Sequence, residues 1–217
     1  MSTLNVDNIN EYTTNGKVNV GHDIKLASGK SVLNSDGNLT GALVKLMTST
    51  ASNDSLLIQD NFVDNTKYSQ YLVVWNDVVS ATAGQHLYVG YRSGGANGAN
   101  LDGTFRSGWM QTKLNQDNSN LDDNRSYNNT TFVNNSIGGD NNNEKFSGQL
   151  KLFPFPDGLS YMIIESLANR NDGDMQYFHM CSAMETSTQV TGLRWHMGSG
   201  DIESGNFYVY GVRKWVL

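Results

Sequence analysis

Residues 71–91 read YLVVWNDVVSATAGQHLYVGY, and this stretch decides the fold class. Tyr71-Leu72-Val73-Val74-Trp75 is apolar at every position, the pattern of a central strand buried on both faces. His86-Leu87-Tyr88-Val89-Gly90-Tyr91-Arg92 alternates more cleanly, as a strand with one solvated face does. Ala81-Thr82-Ala83-Gly84 lies between them, so the two runs read as strands joined by a turn.

Outward from this pair, strand signals recur with turn residues between them: Trp109–Leu114, Thr130–Val133, Phe146–Phe153, Tyr161–Ser166, Met175–Met184, Val190–Met197 and Phe207–Lys214. About nine strands in roughly 150 residues predict an all-β, jelly-roll-like sandwich over residues 46–217. No long amphipathic helical pattern is present. The stretch 41–59 (GALVKLMTSTASNDSLLIQ) is readable as a short helix or two strands, and it is taken as a junction.

Residues 1–45 differ from the rest. Apolar beats such as Leu4-Asn5-Val6, Val18-Asn19-Val20 and Ile24-Lys25-Leu26 are separated by turn dipeptides such as Asn15-Gly16 and Asp36-Gly37. So little apolar surface cannot offset its own ordering entropy unless neighbouring copies of the chain supply the missing core. The expected role of this segment is an oligomerising stem.

Composition supports a β-rich chain and excludes several functions. Charged residues are 17% of the 217, below the usual level of about 25%, while about one residue in eight is Asn, so polarity comes from amides and hydroxyls. The formal net charge is −6 with no Lys/Arg cluster, which leaves no footprint for a phosphate backbone; nucleic acid is not expected as a partner. No apolar run reaches the roughly 20 residues of a membrane span, and residues 1–12 lack the basic and apolar regions of a signal peptide. No membrane insertion and synthesis in a cytoplasm are therefore expected. The single cysteine, Cys181, lies in an apolar-rich stretch and reads as a small buried hydrophobe.

Catalytic and metal patterns are sparse. His22, His86, His179 and His196 have no zinc spacing, and no GxSxG nucleophile elbow occurs. Asp122-Asp123, Asp172, Asp174, Asp201 and Glu203 are the carboxylates from which a sugar-cleaving pair could be drawn, but Asp172-Gly173-Asp174 and Asp201 lie in Gly/Asn-rich turns, where Asp commonly serves the backbone. Residues 169–174 lack the spaced ligands and terminal Glu of an EF-hand loop, although acidic loops of this kind offer oxygen ligands that would suit calcium. No cofactor, no metal site and no catalytic residue are expected. Residues 111–144 form a long Asn/Asp-rich excursion, and loops of that length are mobile or functional. Trp109, Arg125 and Tyr127 in or beside it are the candidate binding residues, since an aromatic face next to amides suits a sugar ring. For Trp109 a core position is the competing reading.

The opening MSTLNVDNINEYTTNGKVNV, the segment Ile24–Lys30 and the closing Ser204-Gly205-Asn206-Phe207-Tyr208-Val209-Tyr210-Gly211-Val212 together resemble tailed-phage virion proteins, especially those of marine cyanophages and related marine phages. In that group a short stem of minute strands precedes a β-sandwich head that closes with an sGxfxlYGv strand. Residues 71–91 are similar to a two-strand unit of such heads. The resemblance implies a non-enzymatic structural or adhesive protein of the virion, commonly a homotrimer, carried on tail or capsid. Its expected partners are other copies of itself, virion proteins met through the stem, and host surface polysaccharide. No long coiled coil or shaft is recognisable, so the expectation is a compact tail appendage; capsid decoration and a small polysaccharide depolymerase are the alternatives.

Overall fold

A computed structural model describes residues 43–94, 98–101, 104–114, 121–128, 145–155, 159–169, 175–185 and 188–214. They are all-β, with no helix, and form two antiparallel sheets consistent with a β-sandwich. The strands are β1 (Leu43–Asp54), β2 (Leu57–Gln59), β3 (Tyr68–Ser80), β4 (Leu87–Arg92), β5 (Thr104–Leu114), β6 (Leu121–Asn128), β7 (Phe146–Pro154), β8 (Leu159–Asn169), β9 (Met175–Glu185), β10 (Gly192–Met197) and β11 (Ile202–Arg213). The large sheet has the order β1-β11-β3-β7-β8-β9-β5-β6, and the small one β2-β10-β4. The proposed stem, 1–45, lies outside the described residues except for Leu43, Val44 and Lys45, which belong to β1. The segment read as a junction is two strands, because β1 pairs along its length with β11 and β2 pairs with β10.

Strand alternation builds the core. Tyr71, Val73 and Trp75 of β3 and Phe207 and Val209 of β11 point inward from the large sheet and are fully buried. They meet Leu87, Val89 and Tyr91 of β4 and Leu193 and Trp195 of β10. The Trp195 ring lies 5.4 Å from Trp75 and 5.0 Å from Phe207, in tilted contacts that join the sheets through three large aromatic side chains. Leu72 and Val74 face outward and are only half-buried, so β3 is central in the sheet while keeping one partly open face.

Trp195 and Tyr91 carry their polar atoms to partners inside the sandwich. Trp195 Nε1 donates to Gln59 Oε1 at 2.9 Å, which accounts for a fully buried glutamine on the short strand β2. Tyr91 Oη donates to the Ser160 carbonyl at 3.2 Å, and burial pushes its phenol far above the ordinary value.

The clean alternation expected for His86–Arg92 is only partly realised, since Gly90 and Arg92 on the outward side of β4 are also buried. The Arg194 stem covers Gly90. Arg92 is sealed by Asp60 and by residues 98–100. Its Nε donates to Asp60 Oδ2 at 3.0 Å, Nη1 to Asn100 Oδ1 at 2.9 Å and Nη2 to the Gly98 carbonyl at 2.6 Å.

Two further expectations are corrected. Leu121–Asn128, read as part of a loop, is strand β6 and pairs with β5 residue for residue from Ser107↔Asn128 to Leu114↔Leu121. A strand at the end of a sheet draws its stability from backbone hydrogen bonds, so its Asn and Asp residues need supply no core face. Cys181 is exposed, not buried. On β9 the residues Gln176, Phe178, Met180, Ser182 and Met184 take the inner face, and the two-residue period turns Cys181 to the outside.

Gly148 on β7 is required by packing. A Cβ there would collide with the Trp75 indole and the Glu165 carbonyl, neither of which is a flexible chain end. Gly148→Ala is expected to destabilise the head by about 1–3 kcal/mol, measured by urea denaturation.

Candidate functional site

On the outer face of the large sheet, polar and apolar side chains from several strands are set side by side. Cross-strand register lines up Tyr208, Val74, Gln149, Glu165, His179 and Met110 in one row from β11 to β5. The adjacent row carries Ser147, Leu167, Tyr177 and Thr112. These residues share the outer face because each alternates with a neighbour committed to the core: Leu150 beside Gln149, Ile164 and Ser166 beside Glu165, Gln176 and Phe178 beside Tyr177.

Where the two rows meet β3, a groove of about 420 Å³ opens, lined by Val74, Asn76, Ser147, Gln149, Glu165, Leu167 and Tyr177 among others. A bulge in β3 forms one wall. The register between β3 and β7 shifts between Trp75 and Val78, and Asp77 takes a positive φ of 53°. The Asp77 N–H donates to Ser147 Oγ at 3.2 Å, which pins the bulge to β7 and sets Asn76 at the rim. Bulges commonly re-aim side chains beside functional sites.

Glu165 is the polar hub of the groove. Gln149 Nε2 donates to Glu165 Oε2 at 2.8 Å, and the Tyr177 hydroxyl donates to the same carboxylate. Burial raises the Tyr177 phenol above its ordinary value; the Glu165 charge and their hydrogen bond push it the same way. Opposite this polar side stand apolar surfaces, with Leu167 54% and Tyr177 36% exposed. An apolar wall facing amide, hydroxyl and carboxylate groups suits a ring with one apolar face and polar edges.

A second groove, of about 480 Å³, lies farther along the same strands and is lined by Arg106, Gly108, Phe153, Tyr161, Ile163, Cys181 and Ala183 among others. It is more apolar. A Cβ built at Gly108 meets nothing within 4 Å, so the floor is open beside Cys181. Tyr161 is met edge-on by Phe155 at 5.7 Å.

The residues singled out from sequence fall in different places. Trp109 is half-buried, with its ring 5.7 Å from Phe178, which is fully buried on the core side of β9. Arg125 is paired with Met110 and Tyr127 with Gly108, so both hold register positions in the rows that cross the outer face, whereas Trp109 is paired with Ser126. Asp172 and Asp174 lie outside the described residues, as does the strand expected at Thr130–Val133. His196 stacks on Tyr88 at 5.2 Å with the rings 9° from parallel. Among the described residues no group of three His, Cys, Asp or Glu side chains could hold a metal ion.

Gln149, Glu165 and Tyr177 escaped the sequence reading. The available signal was Glu165 itself, a carboxylate inside the apolar run Tyr161–Ser166, where a charge is out of keeping with a buried strand. The chain matches no protein-family model and no curated protein.

Proposed function

We propose that this chain is a non-enzymatic surface protein of a tailed-phage virion, a trimeric tail appendage whose β-sandwich head attaches to host surface glycan through the Glu165–Tyr177 groove. The observation that carries the glycan reading is the lining of that groove, with Tyr177 and Leu167 as an apolar wall and Asn76, Ser147, Gln149 and Glu165 as hydrogen-bonding groups around it. The virion part rests on the resemblance of both chain ends to marine-phage virion proteins. A weak site of this open kind gains from trivalency, because linked copies raise the effective concentration of the second and third contacts.

Binding is favoured over cleavage because glycoside hydrolysis commonly needs two carboxyl groups flanking the bond, and Glu165 is the one carboxylate among the described residues that line the groove. The alternative reading, a capsid decoration protein, is supported by the more apolar second groove, since aromatic and aliphatic surface of that kind suits contact with another protein.

Binding of the full chain to polysaccharides from host envelopes tests the proposal. Tyr177→Ala and Gln149→Ala are each expected to weaken binding by about tenfold or more, with melting temperature little changed. Binding unaffected by both variants would overturn the groove as the site. Light scattering on the same sample tests the trimer, and a monomer would remove the role assigned to residues 1–45.

A further inference from the structure

Resting on the glycan reading above, we infer that Glu165 sets the charge class of the ligand: the groove takes a sugar that donates hydrogen bonds, either a neutral vicinal diol or an amino sugar, and rejects uronate- or sulfate-bearing polymers. The argument starts from the carboxylate's capacity. An ionised carboxylate accepts hydrogen bonds at about four lone-pair sites and donates none. Within the protein Glu165 receives Gln149 Nε2 at 2.8 Å and the Tyr177 hydroxyl. Both partners are neutral, so they orient the carboxylate without cancelling its charge, and among the described residues no other hydrogen bond takes up its remaining acceptor sites.

The surroundings reinforce this sign. Among the described residues no Lys or Arg pairs with Glu165; Lys145 lies 3.7 Å from Asp77, and Lys151 is exposed two residues from Gln149 on the outer side of β7, but neither is among the residues that line the groove. Asn76, Ser147 and Gln149 add neutral groups and no cation. A ligand carboxylate or sulfate entering the groove would face the like charge of Glu165 at short range. A sugar diol or ammonium meets the hydrogen-bond acceptor it requires.

The test is equilibrium binding of the full chain, wild type and Glu165→Gln, to a panel of neutral glucans, mannans and galactans, chitosan oligosaccharides, and the acidic polymers alginate and polygalacturonate, at fixed ionic strength. Wild type is expected to bind at least one neutral or amino-sugar member about tenfold more tightly than any acidic one. Glu165→Gln keeps the shape and removes the charge, so it is expected to shrink that preference at least several-fold. Loss of chitosan binding with neutral binding retained would assign the ligand as an amino sugar, and the reverse a neutral diol. Tyr177→Phe keeps the carboxylate and should keep the rejection of acidic polymers.

Wild-type preference for an acidic polymer overturns the inference while leaving the groove standing, provided Tyr177→Ala still weakens binding by about tenfold or more. This result decides even where Glu165→Gln fails to fold. Failure of every member of the panel to bind overturns the glycan reading itself.

Discussion

Trp75→Ala is expected to destabilise the head by about 3–5 kcal/mol, read from the shift in a chemical denaturation curve. The indole is fully buried at the middle of β3 and packs on Trp195, which in turn packs on Phe207, so one truncation opens a cavity at the contact between the two sheets. Collapse of the cavity is resisted on the β7 side, where the backbone at Gly148 already lies against the ring. Among the described residues the buried Trp75 Nε1 has no hydrogen-bond partner, so the indole stabilises through its apolar packing. Trp75→Phe therefore loses no internal hydrogen bond and is expected to cost less than half as much. A Trp75→Ala loss under about 1 kcal/mol would contradict this account of the core.

Arg92→Ala is expected to cost about 3–5 kcal/mol by the same measurement. Arg92 and Asp60 have side chains only 6% and 5% exposed, and their 3.0 Å ion pair is surrounded by protein. Removing the guanidinium leaves a carboxylate that keeps Thr191 Oγ1 at 2.7 Å and the Asn61 N–H at 2.9 Å but has lost its countercharge. It also frees the Gly98 carbonyl and Asn100, the side-chain anchors that hold residues 98–101 along the edge of β4. The backbone bonds Ser93 N to Ala99 O and Leu101 N to Tyr91 O would then hold that segment alone. The double variant Arg92→Ala, Asp60→Ala should be less destabilised than the sum of the singles, because the second substitution removes the stranded charge. Strict additivity would show that the two side chains act independently.

These core positions differ in how plainly the chain announces them. Trp75 stands in an apolar run, and a run of that kind needs no knowledge of its neighbours to be read as an interior strand. Arg92 closes an alternating run on the outward side, where a charge is ordinarily solvated; its burial depends on Asp60 and Asn100, which arrive from other parts of the chain. The same division separates the two kinds of candidate residue. Trp109 drew attention by type, and its ring packs on Phe178. Glu165 stands out locally as a carboxylate in an apolar run, but Gln149 and Tyr177 are unremarkable one by one, and the three become a site only through strand pairing.

Local pattern therefore determined the all-β class, the strands near residues 71–75, 87–92, 146–153, 175–184 and 207–213, and the placing of turns between them, because alternation and turn chemistry are properties of a few consecutive residues. Tertiary structure alone decided the rest. Strand β6 exists because β5 offers it a backbone ladder that asks little of its side chains. Cys181 faces outward because Phe178, Met180 and Ser182 hold the inner positions of its strand. The groove joins Asn76, Gln149, Glu165 and Tyr177 from β3, β7, β8 and β9 because strand order and register bring them together. Order and register are set by contacts between residues far apart in the chain, which no local pattern encodes.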